Sequence, residues 1–310
     1  MIESLLQSSL GVSSGVLIAL GGFVGVLSGL LGVGGGVLMT PALHILGLPM
    51  PLAVGTTLTQ MVASSLTGTI KHRAQQNVSI PLVMIFGLPG IMGVLLGKTL
   101  MVQLASHKLL LDYFSLAYAG FLIFMAILMV KRILRPRVVN PSKIWTFGPR
   151  WDSRQGTYGF AYIPCAIFGS FIGVVSGLTG LGGGFFYMPI MSQVLGIPLK
   201  VSVGSSLGIV VISALAGSVS YGLAGLSDIR TALIIAVGAI GGSFLGASAT
   251  QYVTGKTLKL LFAVLVICAA VSVVLKYFSY KSESFYLMSI ATVILLATAL
   301  TNAYMNYRKK

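Results

Sequence analysis

Acidic side chains are nearly absent from this chain: Glu3, Asp112, Asp152, Asp228 and Glu283 are the only five in 310 residues. All five fall in tails, loops or expected helix ends, so the apolar stretches carry no carboxylate for a proton relay or for general acid–base work. Histidine is almost as scarce, with His44, His72 and His107. The two cysteines, Cys165 and Cys268, lie in apolar runs without CxxC spacing. That argues against a disulfide framework or a zinc site and leaves both as small buried side chains. No set of serine with histidine, paired acids or metal ligands is expected inside a membrane, so an enzyme is not expected. No cofactor or metal and no ATP-binding motif is indicated either.

What the chain has instead is hydrophobicity. Hydrophobic residues make up 56% and charged residues only 8%, with a mean hydropathy of +0.97. Soluble domains average about 25% charged residues, so this composition belongs to an integral membrane protein. The net charge of +15 invites a nucleic-acid reading. The basic residues sit between apolar runs, however, where orientation in a bilayer explains them better. Apolar runs fall at roughly 11–31, 37–46, 52–70, 79–103 and 109–130, then at 159–179, 185–196, 201–222, 229–251 and 257–275, with a last one at 284–305. The N-terminus lacks a basic segment ahead of its first apolar run and is not expected to be a cleaved signal peptide.

The chain is a duplication. Ser28-Gly-Leu-Leu-Gly-Val-Gly-Gly-Gly-Val-Leu-Met-Thr-Pro41 returns 148 residues later as Ser176-Gly-Leu-Thr-Gly-Leu-Gly-Gly-Gly-Phe-Phe-Tyr-Met-Pro189, and 10 of the 17 positions from Gly25 to Pro41 are identical between copies. Leu48-Pro49 matches Ile197-Pro198, Gly55-Thr-Thr matches Gly204-Ser-Ser, Ser64 matches Ser213 and Gly68 matches Gly217. The expected fold is therefore an all-α integral membrane protein of two repeats, 11–130 and 159–280. A basic linker joins them at 131–158, and an extra C-terminal helix follows at 281–310.

Basic residues arbitrate the topology. With the linker placed in the cytoplasm, each glycine break read as the tip of a hairpin puts 15 basic residues inside and 5 outside. Single broken crossings give 12 against 8. The hairpin reading predicts inverted repeats, an outside N-terminus, a cytoplasmic C-terminus and a multi-pass protein of the plasma membrane.

A triple glycine costs a helix roughly 0.8–1 kcal/mol per residue relative to alanine, so its appearance twice at matched positions predicts a deliberate break. Unwound backbone must line protein or a wet cavity, and the half-helix that follows presents its positive end and free N–H groups. Gly34, Gly35 and Gly36 with Gly182, Gly183 and Gly184 are therefore the candidate backbone cradle for an anion. Thr56, Thr57, Ser205 and Ser206, at the start of the next helix in each half, are candidate hydroxyl donors. Gln60, whose counterpart is Ile209, would make the site asymmetric. Gly32-Val-Gly34-Gly-Gly36 invites comparison with a G-x-G-x-x-G nucleotide fingerprint, but it is weak evidence for one, because no strand or ribose-binding acid accompanies it. The four-residue glycine stripes, Gly21/Gly25/Gly29 and Gly169/Gly173/Gly177, predict close helix packing.

The doubled Gly-x-x-Gly-x-Gly-Gly-Gly motif, each copy followed by Pro and then Gly-Thr-Thr or Gly-Ser-Ser, resembles the sulfite exporter TauE/SafE family of bacterial membrane transporters over about 15–280. That resemblance implies passage of sulfite, sulfoacetate, other sulfonates or organic acids across the bacterial inner membrane. The expected partners are then a small anion and the lipid bilayer, with no nucleic acid, and a homo-oligomer is compatible with them. A passive anion channel or a non-transporting assembly factor are the alternatives to a secondary transporter.

Overall fold

The computed structural model describes residues 13–107 and 162–253, with eight isolated helical positions at 120, 123, 124, 127, 260, 264, 267 and 271. The linker 131–158, the final helix 281–310 and most of the runs 109–130 and 257–275 lie outside the described residues. Among the described residues every regular element is a helix. The first half holds α1 (Ser14–Leu31), α2 (Gly36–Ile45), α3 (Met50–Ala74) and α4 (Ile80–Ala105). The second half holds α5 (Tyr162–Thr179), the short α6 (Gly184–Pro189) with a π-turn over Ile190–Val194, α7 (Leu199–Leu223) and α8 (Ile229–Ala249).

Proline and glycine set these boundaries. Pro49 and Pro198 stand immediately before α3 and α7 in extended conformation, where a missing N–H costs nothing. The breaks after α1 and α5 use left-handed backbone, with φ of +74°, +81° and +88° at Gly32, Gly34 and Gly35, and +71°, +74° and +72° at Gly180, Gly182 and Gly183. A side chain at such a position costs roughly 1–2 kcal/mol, which is why these six positions are glycine.

Among the described residues, four helices are long and apolar enough to cross a membrane: α1, α4, α7 and α8. With 25 residues α3 is long enough too, at about 37 Å, but its polarity points inward. Thr56, Thr57, Gln60, Ser64, Ser65 and His72 are all buried, while Leu66 and Ile70 face outward. The outer surface continues with Met92, Leu96, Val219, Leu233 and Val237. An apolar exterior around a polar interior is the arrangement that a lipid environment selects.

The halves exchange partners. In α1, a β-carbon on Gly21, Gly25 or Gly29 would strike the backbone of Ile235, Ala239 or Ser243 in α8. In α5, Gly169, Gly173 and Gly177 lie equally close to Phe86, Gly90 and Val94 of α4. The glycine stripes thus bring the first helix of each half into contact with the last described helix of the other, running parallel. Corresponding helices α3 and α7, by contrast, run antiparallel. Gly55 meets Tyr221, Gly217 meets Leu58, Gly68 meets Leu207 and Gly204 meets His72.

Each break is also a reversal. In the first half, Gly29 lies against His72 near the end of α3, Gly34 against Ser65 and Met61, and Gly36 against Met61. The chain therefore doubles back along α3 toward its start at Met50. The second half does the same along α7, from Gly177 beside Tyr221 to Gly182 beside Val210.

Candidate functional site

The two reversals meet. The position of a β-carbon on Gly36 is taken by the carbonyl of Gly180, and that on Gly184 by the carbonyl of Gly32. Gly34 and Gly182 both face the Met61 methyl and Val210 Cγ1, so Met61 fills the space between the tips. Every residue from Gly32 to Gly36 and from Gly180 to Gly184 is buried. The meeting point is closed to solvent on all sides.

Hydroxyls from the neighbouring helices hold the tips. Ser206 Oγ donates to the Gly32 carbonyl at 2.7 Å and to Val203 O at 2.8 Å. Thr40 Oγ1 donates to the Gly180 carbonyl at 3.4 Å, and Ser64 Oγ to the Gly34 carbonyl at 3.4 Å. Farther along the same helices, His72 Nε2 lies 2.9 Å from the Gly29 carbonyl, and Tyr221, at the equivalent position, donates its hydroxyl to the Gly177 carbonyl at 2.6 Å. Unwound backbone buried in a membrane needs such partners, and of these only His72 and Tyr221 stand at matched positions. Thr57, the counterpart of Ser206, bonds no tip, Met188 stands opposite Thr40, and Ser213, the counterpart of Ser64, bonds Ile209 O of its own helix.

The predicted site residues divide into three groups. The six glycines come together as the two tips. Thr56 and Ser205 are engaged elsewhere. Thr56 Oγ1 accepts from Asp228 N and Ser205 Oγ from Ser79 N, each at 2.9 Å, so each oxygen pins the chain just ahead of the other half's last described helix. Ser206 shares its one proton between the Gly32 carbonyl of the first tip and Val203 O. Thr57 and Gln60 form the third group: both are buried, with no hydrogen-bond partner for Thr57 Oγ1 or for either end of the Gln60 amide.

Gln60 is not isolated. Its Nε2 lies 3.7 Å from the position that a Gly35 β-carbon would occupy, Ser28 Cβ is equally near that position, and Ser65 Oγ is 3.2 Å from the corresponding point on Gly34. The hydroxyls of Ser28 and Ser65 are buried and unpartnered as well. Leaving a buried polar group unpaired costs roughly 1–3 kcal/mol, and native proteins keep few of them. Several stand together at this helix tip, with donors and acceptors left to offer.

Reasoning from sequence passed over Ser28, Met61 and His72. Ser28 was visible as an identity between the repeats, at Ser176, and His72 as a polar match to Tyr221. Met61 carried no signal, because its role depends on both tips arriving beside it. His44 sits half-buried at the end of α2 with Nδ1 2.9 Å from Leu48 O. Among the described residues no three His, Cys, Asp or Glu side chains group to hold a metal.

Known proteins with related sequences are membrane transporters by name. The chain is 30% identical over 263 residues to a probable membrane transporter protein of Xylella fastidiosa (strain 9a5c), an alignment covering 84% of this chain and 94% of that protein. It is 27% identical over 264 residues to the probable membrane transporter protein YunE of Bacillus subtilis, covering 81% and 94%. To the probable membrane transporter protein MJ0441 of Methanocaldococcus jannaschii it is 28% identical over 263 residues, covering 80% and 90%. No solved structure matches it significantly. The model of the sulfite exporter TauE/SafE family matches residues 17–273, across both repeats and both glycine tips, and the chain belongs to that family of membrane transporters.

Proposed function

We propose that the protein is a secondary transporter of a small oxyanion, sulfite or an organic sulfonate such as sulfoacetate, working by alternating access at the meeting point of the two tips. The observation that carries this reading is the buried meeting of two glycine breaks beside unpartnered polar side chains. Neutral donors and helix ends suit an anion that has to leave again, since no arginine or lysine holds it there. Closure on all sides supports a transporter that occludes its cargo more than it supports an open channel. The polar side chains at the tips include no carboxylate or histidine, which favours transport over hydrolysis.

The antiparallel run of α3 and α7 supports inverted repeats. Corresponding helices of a parallel duplication cross the membrane in the same direction, whereas those of an inverted one cross in opposite directions. The excess of basic residues in the segments assigned to the cytoplasm supports an outside N-terminus and an inside C-terminus in a bacterial plasma membrane. Rocking of one half against the other would then open the tips to each side in turn.

The test is uptake into proteoliposomes from a panel of sulfite, sulfoacetate, methanesulfonate and sulfate. Saturable uptake of one or more, abolished by Gly35→Leu and by Gly183→Leu in protein that still elutes as a folded species in detergent, is expected. Full transport in both variants contradicts the reading. Flux that never saturates and follows voltage alone assigns the protein as a channel.

A further inference from the structure

The two tips match in backbone and differ in lining, and we infer from this that the chain holds a single oxyanion seat, built by the first tip alone. This rests on the transporter reading and narrows the cradle from two tips to one. The seat is the N-terminus of α2 at Gly35 and Gly36, the Gln60 amide, and the hydroxyls of Ser28 and Ser65. The ten-residue α2 is long enough to present a helix end, and its first N–H groups have no partner within the helix. The side chains around it are buried and unpartnered: Ser28 is 1% exposed, Gln60 1% and Ser65 0%.

The second tip lacks these parts. Ile209 stands where Gln60 would be and Ala214 where Ser65 would be, both fully buried. A side chain on Gly183 would meet Ile172 Cγ2 at 2.8 Å, as one on Gly35 would meet Val24 Cγ1 at 2.8 Å, but at Gly183 the Tyr187 ring also stands in the way, with Cε2 2.7 Å away. Tyr187 donates its hydroxyl to Gly169 O at 3.2 Å and sets its ring against Phe86 with centroids 5.7 Å apart. Its counterpart in the first half is Met39. The helix that follows, α6, has six residues before the π-turn begins. Ser176 remains, buried and unpartnered like Ser28, but it has no amide beside it.

The seat's chemistry selects its ligand. A helix end offers about half a positive charge, and no charged side chain adds to it, so the match is to a singly charged oxyanion. The unpaired hydroxyls and the amide N–H supply donors to its oxygens. Gln60 Oε1 is the seat's one unpartnered side-chain amide acceptor, and it suits an oxyanion that keeps an O–H, such as hydrogensulfite. This holds whichever way the amide is turned, because both of its ends lack partners. A simple alkanesulfonate such as methanesulfonate, permanently single in charge, meets the first requirement; sulfate does not, and sulfoacetate, a dianion at neutral pH, meets it only at its sulfonate end.

The experiment reads binding separately from transport, as thermal stabilisation of the detergent-solubilised full chain by sulfite or methanesulfonate, with chloride as the control. Wild type is expected to be stabilised. Gln60→Met should lose the effect, and Ser28→Ala and Ser65→Ala should raise the half-saturating concentration about tenfold, the loss of one strong hydrogen bond to an anion. Ser176→Ala should stay within about twofold of wild type. Equal losses in Ser28→Ala and Ser176→Ala overturn the single seat, as does stabilisation that survives Gln60→Met, and so does a wild type that neither anion stabilises. A protein stabilised in the expected pattern that moves no anion in proteoliposomes keeps the seat and overturns the transporter reading.

Discussion

The first and second tips are built on the same glycines and finished in different ways. Both reverse direction on left-handed backbone, both are buried, and each is closed by the carbonyl of the other. Around the first stand Ser28, Gln60 and Ser65, polar and unpaired. Around the second stand Ile172, Tyr187 and Ile209, which pack as an ordinary core. Duplication supplies two equivalent backbones, and divergence of a few side chains decides which one is left needing a ligand. The matched glycines are architecture, and in the proposed single seat the unmatched Gln60 and Ser65 carry the specificity.

The largest effect should fall on what the tips share. Gly36→Ala and Gly184→Ala put a methyl group against the backbone of the opposite tip, which has no flexible atom to yield. Both should abolish proteoliposome uptake and destabilise the protein by about 1–3 kcal/mol, the cost of overpacking. A difference between them would show that the tips do not press on one another equally.

Next comes the amide. Without ligand, Gln60→Met removes two unpaired polar ends from the core and should raise the melting temperature, while lowering the apparent affinity for the transported anion at least tenfold. Ile209→Met, its mirror change, should leave KM within about twofold. A drop in ligand-free stability for Gln60→Met would mean that the amide is satisfied in the membrane and is not waiting for substrate.

Smaller and symmetric effects belong to the hydroxyls that join the halves. Thr56→Val and Ser205→Ala each remove one acceptor for a backbone N–H and should each cost about 1 kcal/mol of stability. Tyr221→Phe removes the bond to Gly177 O and should cost about the same. None of the three should change KM. A change in KM for Thr56→Val without one for Ser205→Ala would extend the first tip's seat to Thr56.

Much of this organisation is legible in the sequence because proline and glycine carry it. The run expected at 37–46 is the helix Gly36–Ile45, and the run at 201–222 is Leu199–Leu223, since Gly36, Pro49 and Pro198 fix the local backbone whatever surrounds it. Asymmetry at Gln60 could be read by aligning the repeats. The exchange of partners between halves could not, because glycine stripes announce a close neighbour without naming it. His72 was hidden for a similar reason. Flanked by Lys71 and Arg73 it looks like part of a cytoplasmic end, and only the packing of α3 on α1 brings its ring to the Gly29 carbonyl. The division of labour among Thr56, Thr57, Ser205 and Ser206 likewise depends on which chain lies opposite each hydroxyl.

Everything proposed for the two tips requires that they reach the centre from opposite faces of the membrane. Pro49 and Pro198 mark the equivalent exposed turns at the bases of the two hairpins. Single cysteines at these two positions, in a chain with Cys165 and Cys268 replaced, can be probed with a membrane-impermeant thiol reagent on intact cells. The account predicts labelling of Pro49→Cys from outside and of Pro198→Cys only after the membrane is opened. Labelling of both from the same side would contradict it.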